Sequence, residues 1–97
     1  MFAAIRRYHT NADSVDEVIR QVNEGFVPLI SDMPGFVAYV LLNAGQGEIG
    51  SVSVFEDQKS AEESSRLAEE WVEQHLGSLL PTSPDYAAGE VVAYKAK

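Results

Sequence analysis

Two apolar runs joined by a glycine-bearing connector limit the folds open to this chain more than any other feature. Phe36 to Leu42 and Ile49 to Phe55 are rich in Val, Phe, Tyr and Ile, and they flank Asn43-Ala44-Gly45-Gln46-Gly47. β-Branched and aromatic residues on both sides of a short glycine-containing loop predict a β-hairpin. A hairpin alone is not stable in water, so the rest of the chain must extend it and cover it.

The flanking segments supply both. Met1 to His9 reads as a strand, with Phe2, Ala4, Arg6 and Tyr8 on one face and Ala3, Ile5, Arg7 and His9 on the other. Ser14 with Glu17 has the spacing of a capping box, and an apolar stripe follows from Val15 through Val18, Val22, Phe26 and Ile30 to Met33. Pro28 cannot donate to the carbonyl of Glu24, which predicts a kink or break between Gly25 and Pro28. Pro34-Gly35 ends the helix and opens the hairpin. A second helix follows Phe55-Glu56-Asp57, with either Asp57 or the pair Ser60 and Glu63 as its N-cap. Its inner stripe runs from Ala61 through Ala68, Trp71, Val72 and His75 to Leu79. After a loop from Leu80 to Pro84, a last strand is expected over Glu90 to Lys95. The order β-α-β-β-α-β predicts one α+β domain over residues 1–97. The expected fold is ferredoxin-like, with a four-stranded, antiparallel-rich sheet of order 4-1-3-2 and both helices on one face.

Composition removes several functional classes. The chain has 97 residues, 15 of them Asp or Glu against 7 Lys or Arg, for a formal charge of -8. An acidic domain of this kind does not track a phosphate backbone, so nucleic acid is not an expected partner. There is no cysteine, so thiol catalysis and cysteine metal sites are out, and no metal is expected. No run approaches the ~18 apolar residues of a membrane span. The N-terminal MFAAIRRYHT lacks the pattern of a signal peptide, and a cytoplasmic location is the expectation.

The strands pose a further question. Phe36, Ala38, Val40 and Leu42 alternate with Val37, Tyr39 and Leu41, so both strand faces are apolar. A solvated face would show polar residues at alternate positions. The simplest cover for a second apolar face is another copy of the chain, which predicts a homodimer.

Pro34-Gly35-Phe36 at the start of the second strand, and Val52-Ser53-Val54-Phe55-Glu56-Asp57 leading into an Ala61/Glu62 helix, resemble the antibiotic biosynthesis monooxygenase-like family of dimeric α+β barrels. That resemblance covers nearly the whole chain in element order. It implies a homodimer with a ligand-sized cavity between sheet and helices in each subunit. The family includes cofactor-independent monooxygenases of aromatic polyketides, quinol oxygenases, haem-degrading enzymes and proteins without established function. Its haem-degrading branch carries an Asn on the first strand, whereas this chain has none before Asn11. No cofactor is therefore expected, and the ligand expected is a small apolar or aromatic molecule.

On that resemblance, cofactor-independent oxygenation of a phenolic or quinol-type substrate would use His75 as base. Trp71 and Tyr8 would place the ring, and Arg6 would stabilise developing charge. Tyr39 would stack with or hydrogen-bond the ligand, while Ser51 and Ser53 would line the cavity. Each residue also has a plainer role open to it. His75 and Trp71, four apart on one helix face, also suit a packed core, and Arg6 also suits an ion pair with a helix carboxylate. Arg6, Arg7, Lys95 and Lys97 are expected to gather on one part of the sheet, because the first and last strands are neighbours. An oxygenase and a non-catalytic ligand-binding or structural homodimer both remain open.

Overall fold

In the computed structural model, which describes residues 1–97, the hairpin forms the middle and one edge of a four-stranded sheet. Strands β1 (Phe2–His9), β2 (Phe36–Gly45), β3 (Glu48–Phe55) and β4 (Asp85–Glu90) lie in the order β2-β3-β1-β4. All three pairings are antiparallel. This is the expected 4-1-3-2 order. Helices α1 (Val15–Gln21), α2 (Val27–Ser31) and α3 (Gln58–Leu76) cover one face. The fold is the ferredoxin-like α+β fold expected of the chain.

The hairpin turn is set by backbone conformation. Gln46 and Gly47 have φ of 56° and 83°, the pair of left-handed residues that a two-residue turn needs to match the twist of its strands. Gly47 is also irreplaceable for space, because a Cβ there would stand 2.0 Å from the Thr10 carbonyl oxygen. The Thr10 amide donates to the Gly47 carbonyl at 2.8 Å, fastening the end of β1 to the turn. The Thr10 hydroxyl donates to the Leu79 carbonyl beyond α3.

Three local expectations are corrected. The Ser14 side chain makes no capping hydrogen bond; a 3-10 turn over Ala12–Ser14 leads into α1 and leaves Ser14 itself helical. Instead of a break before Pro28, the helix widens into a π-helical turn over Val22–Phe26 and continues as α2, with Pro28 in its first turn. The Val27 amide donates to the Val22 carbonyl, five residues back, and this widened turn accommodates the hydrogen bond that Pro28 cannot donate. The last strand lies at Asp85–Glu90 rather than Glu90 to Lys95, and residues 91–97 carry no regular structure. For α3 the alternatives resolve on Asp57, whose carboxylate accepts from the Ser60 amide at 2.8 Å.

Register assigns each strand residue to a face. The inner face carries Phe2, Ala4, Arg6 and Tyr8 of β1 and Ile49, Ser51, Ser53 and Phe55 of β3. Phe55, Ile30, Ile49 and Leu76 form the most deeply buried part of the core. On the outer face, Val40, Val52, Ile5 and Ala87 stand in one row across all four strands. Ile5 and Val40 are each about half exposed, at 53% and 52%.

Candidate functional site

A second row, on the inner face, organises the site. Leu41 of β2, Ser51 of β3, Arg6 of β1 and Tyr86 of β4 are successive cross-strand neighbours. Beside them, Tyr39 pairs with Ser53. Over this face the helices set bulky side chains, Phe26 and Ile30 from the first helical arm and Trp71 and Leu76 from α3. Towards its N-terminus α3 presents Ala61, Ser64 and Ala68, which let it lie close to the sheet. The result is a cavity between sheet and helices. Its volume is about 30 Å³. Ligand pockets commonly range over about 300–1,000 Å³, so with its walls this close together the cavity has no room for a ring.

Thirteen of the sixteen lining residues are hydrophobic, and the exceptions are Arg6, Ser51 and Ser53. Arg6 is only 5% exposed, and its Nη2 is buried without a hydrogen-bond partner. No ion pair of the structure involves it. Its guanidinium carbon lies 4.9 Å from the centre of the Tyr86 ring, a cation–π contact. The Tyr86 hydroxyl is in turn 3.2 Å from the Ser65 hydroxyl of α3. The ring offers the guanidinium a π-face but no oxygen acceptor, so the positive charge lacks a partner anion. Burying a charged group without one is costly.

The other polar groups here are hydroxyls. Burial pushes the Tyr39 hydroxyl up to about 12, opposed by a hydrogen bond with Ser51. Burial also raises Tyr8, against the lowering effect of Arg6 and with a smaller raising effect from Glu69. Both phenols are therefore neutral at physiological pH and available as donors. Glu69 is exposed on α3 and does not line the cavity. No carboxylate or imidazole does.

The sequence-predicted residues divide accordingly. Arg6, Tyr8, Tyr39, Ser51, Ser53 and Trp71 all line the one cavity. His75 does not. It is exposed and stacks on the outward side of Trp71, with ring centroids 4.8 Å apart and planes inclined by 31°. Its angle around the helix lies near the inner stripe, but it falls on the exposed edge of that stripe with Glu73 and Gln74, while Leu76 in the same turn is buried. The plainer reading of Arg6, an ion pair with a helix carboxylate, does not hold either. The basic residues do not gather: Arg7 faces outward and pairs with Asp85 at 3.0 Å, while Lys95 and Lys97 lie beyond the sheet.

Two contributors escaped the sequence. Tyr86 was hidden by the misplaced last strand; with β4 at Asp85–Glu90, period two puts it opposite Arg6. Phe26 was legible only as a core position, yet its ring lies 5.5 Å from Trp71 and 5.7 Å from Tyr39 and closes the aromatic side of the cavity.

This architecture recurs in solved structures of low sequence identity. A protein of unknown function from Nitrosomonas europaea matches with a TM-score of 0.82 at 18% identity, over 99% of this chain and 93% of that one. A monooxygenase of Streptomyces coelicolor, solved in complex with nanaomycin D, matches with a TM-score of 0.77 at 14% identity, over 99% and 91%. SnoaB, a cofactor-independent oxygenase from Streptomyces nogalater, matches with a TM-score of 0.74 at 12% identity, over 99% and 97%. At these identities the likeness concerns the fold. No curated protein matches the sequence. The family model for antibiotic biosynthesis monooxygenases matches residues 1–75, which span β1 through nearly all of α3 and hold every cavity-lining residue except Leu76 and Leu80. The chain belongs to the antibiotic biosynthesis monooxygenase family.

Proposed function

We propose that this protein binds a small aromatic molecule between its sheet and helices and oxygenates it without a cofactor, the substrate being phenolic or quinol-type. The observation that carries this reading is an aromatic-walled cavity whose few polar groups, Arg6, Tyr8, Tyr39, Ser51 and Ser53, converge from the inner face of the sheet. Family membership supports the reaction class. In the keto, anthrone-type tautomer of such a phenol a ring CH₂ becomes C=O: one atom of dioxygen enters the product, and the other leaves as water with the two hydrogens. Dioxygen is the oxidant. The protein's part is to orient the ring, exclude water and stabilise the anion that meets oxygen. Trp71 and Phe26 would hold the ring, and the Tyr39 and Tyr8 hydroxyls would hydrogen-bond its oxygens. His75 fits the role of base poorly from its exposed place behind Trp71.

The cavity is narrow, so a ring enters only as its walls move apart. The absence of a carboxylate or imidazole from its lining favours a second reading, a non-catalytic ligand-binding homodimer. Oxygen uptake with a panel of quinols and anthrones separates the two. Turnover above the uncatalysed rate that is lost in Trp71→Ala supports the enzyme. Saturable quenching of Trp71 emission with no uptake leaves the binding protein. The outer apolar face supports the homodimer in either case.

A further inference from the structure

We infer that the cavity selects its ligand by charge, taking an apolar, ring-bearing molecule through one anionic oxygen group that pairs with Arg6. This rests on reading the cavity as a ligand site and specifies what enters it. The charge at Arg6 is unbalanced. A guanidinium does not lose its proton in proteins, so burial cannot neutralise it as it would a lysine or histidine. Its buried Nη2 has no acceptor. The groups that face it from the elements packed around it are Tyr8, Tyr39 and Tyr86 on the sheet, Ser51 beside it, and the exposed Glu69 on α3. Among the residues lining the cavity, none is anionic. An oxygen anion would meet the guanidinium together with the Tyr39 and Tyr8 hydroxyls, both able to donate. Two such ligand chemistries share the feature: a carboxylate, whose two oxygens match the guanidinium fork, and a phenol that sheds its proton on binding. A dianion would leave one charge uncompensated in an apolar space.

The test uses wild-type protein and four naphthalene probes in calorimetric titrations at neutral pH, each run in two buffers of different ionisation heat. The probes are 2-naphthoate, its methyl ester, 2-naphthol and its methyl ether. The expected result is that at least one oxygen acid binds about ten-fold or more tightly than its neutral counterpart. Naphthoate binding without proton release identifies a carboxylate site. Naphthol binding with release of about one proton identifies a phenolate site. Arg6→Met should abolish the preference and raise the melting temperature of the ligand-free protein, since it removes a buried unpaired charge. If that variant does not fold, the wild-type comparison still decides. Ester and ether binding as tightly as acid and phenol, with no proton released, would overturn charge selection and leave the ligand site standing. Absence of binding by all four probes would overturn both.

Discussion

Arg6 and His75 show how far a residue's identity falls short of its role. Both are cationic or cationisable side chains at positions that period and spacing assign to inner faces, yet one is buried without a partner and the other is in water. For His75 the consequence is direct. Truncation to alanine removes a half-exposed stack on Trp71 and little else, so His75→Ala should cost about 0.5 kcal/mol or less in urea unfolding. A loss of several kcal/mol would mean a packed histidine. Tyr39 gives a test at alkaline pH. Its folded pKa, about 12, lies above the usual tyrosine value near 10. Between those values the native state holds a proton that the unfolded state has released. Stability should therefore be intact below about pH 10 and fall as pH rises towards 12. Tyr39→Phe should flatten that decline in urea midpoints followed by circular dichroism, and an unchanged slope would contradict the burial argument.

Among the elements, the π-helical turn over Val22–Phe26 has the most direct bearing on the site. Single π-turns inside α-helices recur at functional positions. Here the widened turn contributes Val22 and Phe26 to the cavity and brings Gly25 against the Trp71 indole, where an added Cβ would stand 2.9 Å from Cζ2. Glycine thus lets the indole lie flush with the helix instead of filling the cavity. Gly25→Ala gains up to about 1 kcal/mol in helix propensity, while forcing the indole aside costs about 1–3 kcal/mol. The net expectation is destabilisation by about 1 kcal/mol, with weaker quenching of Trp71 emission by aromatic ligands. A more stable variant with unchanged quenching would show that the close approach has no such role. Gly25 and Pro28 were legible as irregularities, and the position of the disturbance was right. What the sequence lacked was its form. A break and a π-turn both leave Pro28 without a donor, and only the partner across the turn, Trp71, distinguishes them.

For the whole molecule, the unpaired outer sheet face is the dominant feature. The row Val40, Val52, Ile5 and Ala87 offers water an apolar strip across the full sheet, and Val92 is 89% exposed beyond it. Strips of this kind mark association. A second copy laid on this face would bury on the order of 2,000 Å² in total, the range of obligate homodimers. Light scattering at micromolar concentration should give twice the 10.6 kDa chain mass. Val40→Lys, which puts a charge in the middle of the strip, should shift the population to monomer. A clean monomer mass for the unaltered protein would defeat the expectation.

What the sequence by itself determined is the local alternation and its sum. Val and aromatic runs about a glycine connector, helical stripes and Pro34-Gly35 specify element order. That order, with the rule that a hairpin needs neighbours and cover, leads to one sheet topology. Period two sets Arg6 beside Tyr8 on one face of β1 and Ser51 beside Ser53 on one face of β3, and only the family resemblance implied that the two pairs share a cavity. Tertiary structure decided what lies opposite. The last strand shifted from Glu90–Lys95 to Asp85–Glu90 because pairing with β1 outweighs the better strand propensity of Val91 and Val92. That pairing brought Tyr86, not Tyr94, to Arg6. His75 left the cavity because periodicity gives an angle around an axis and says nothing of whether another element stands there to meet it. The unpartnered guanidinium belongs to the same class of fact, since the absence of a neighbour can be read only once every neighbour has a place.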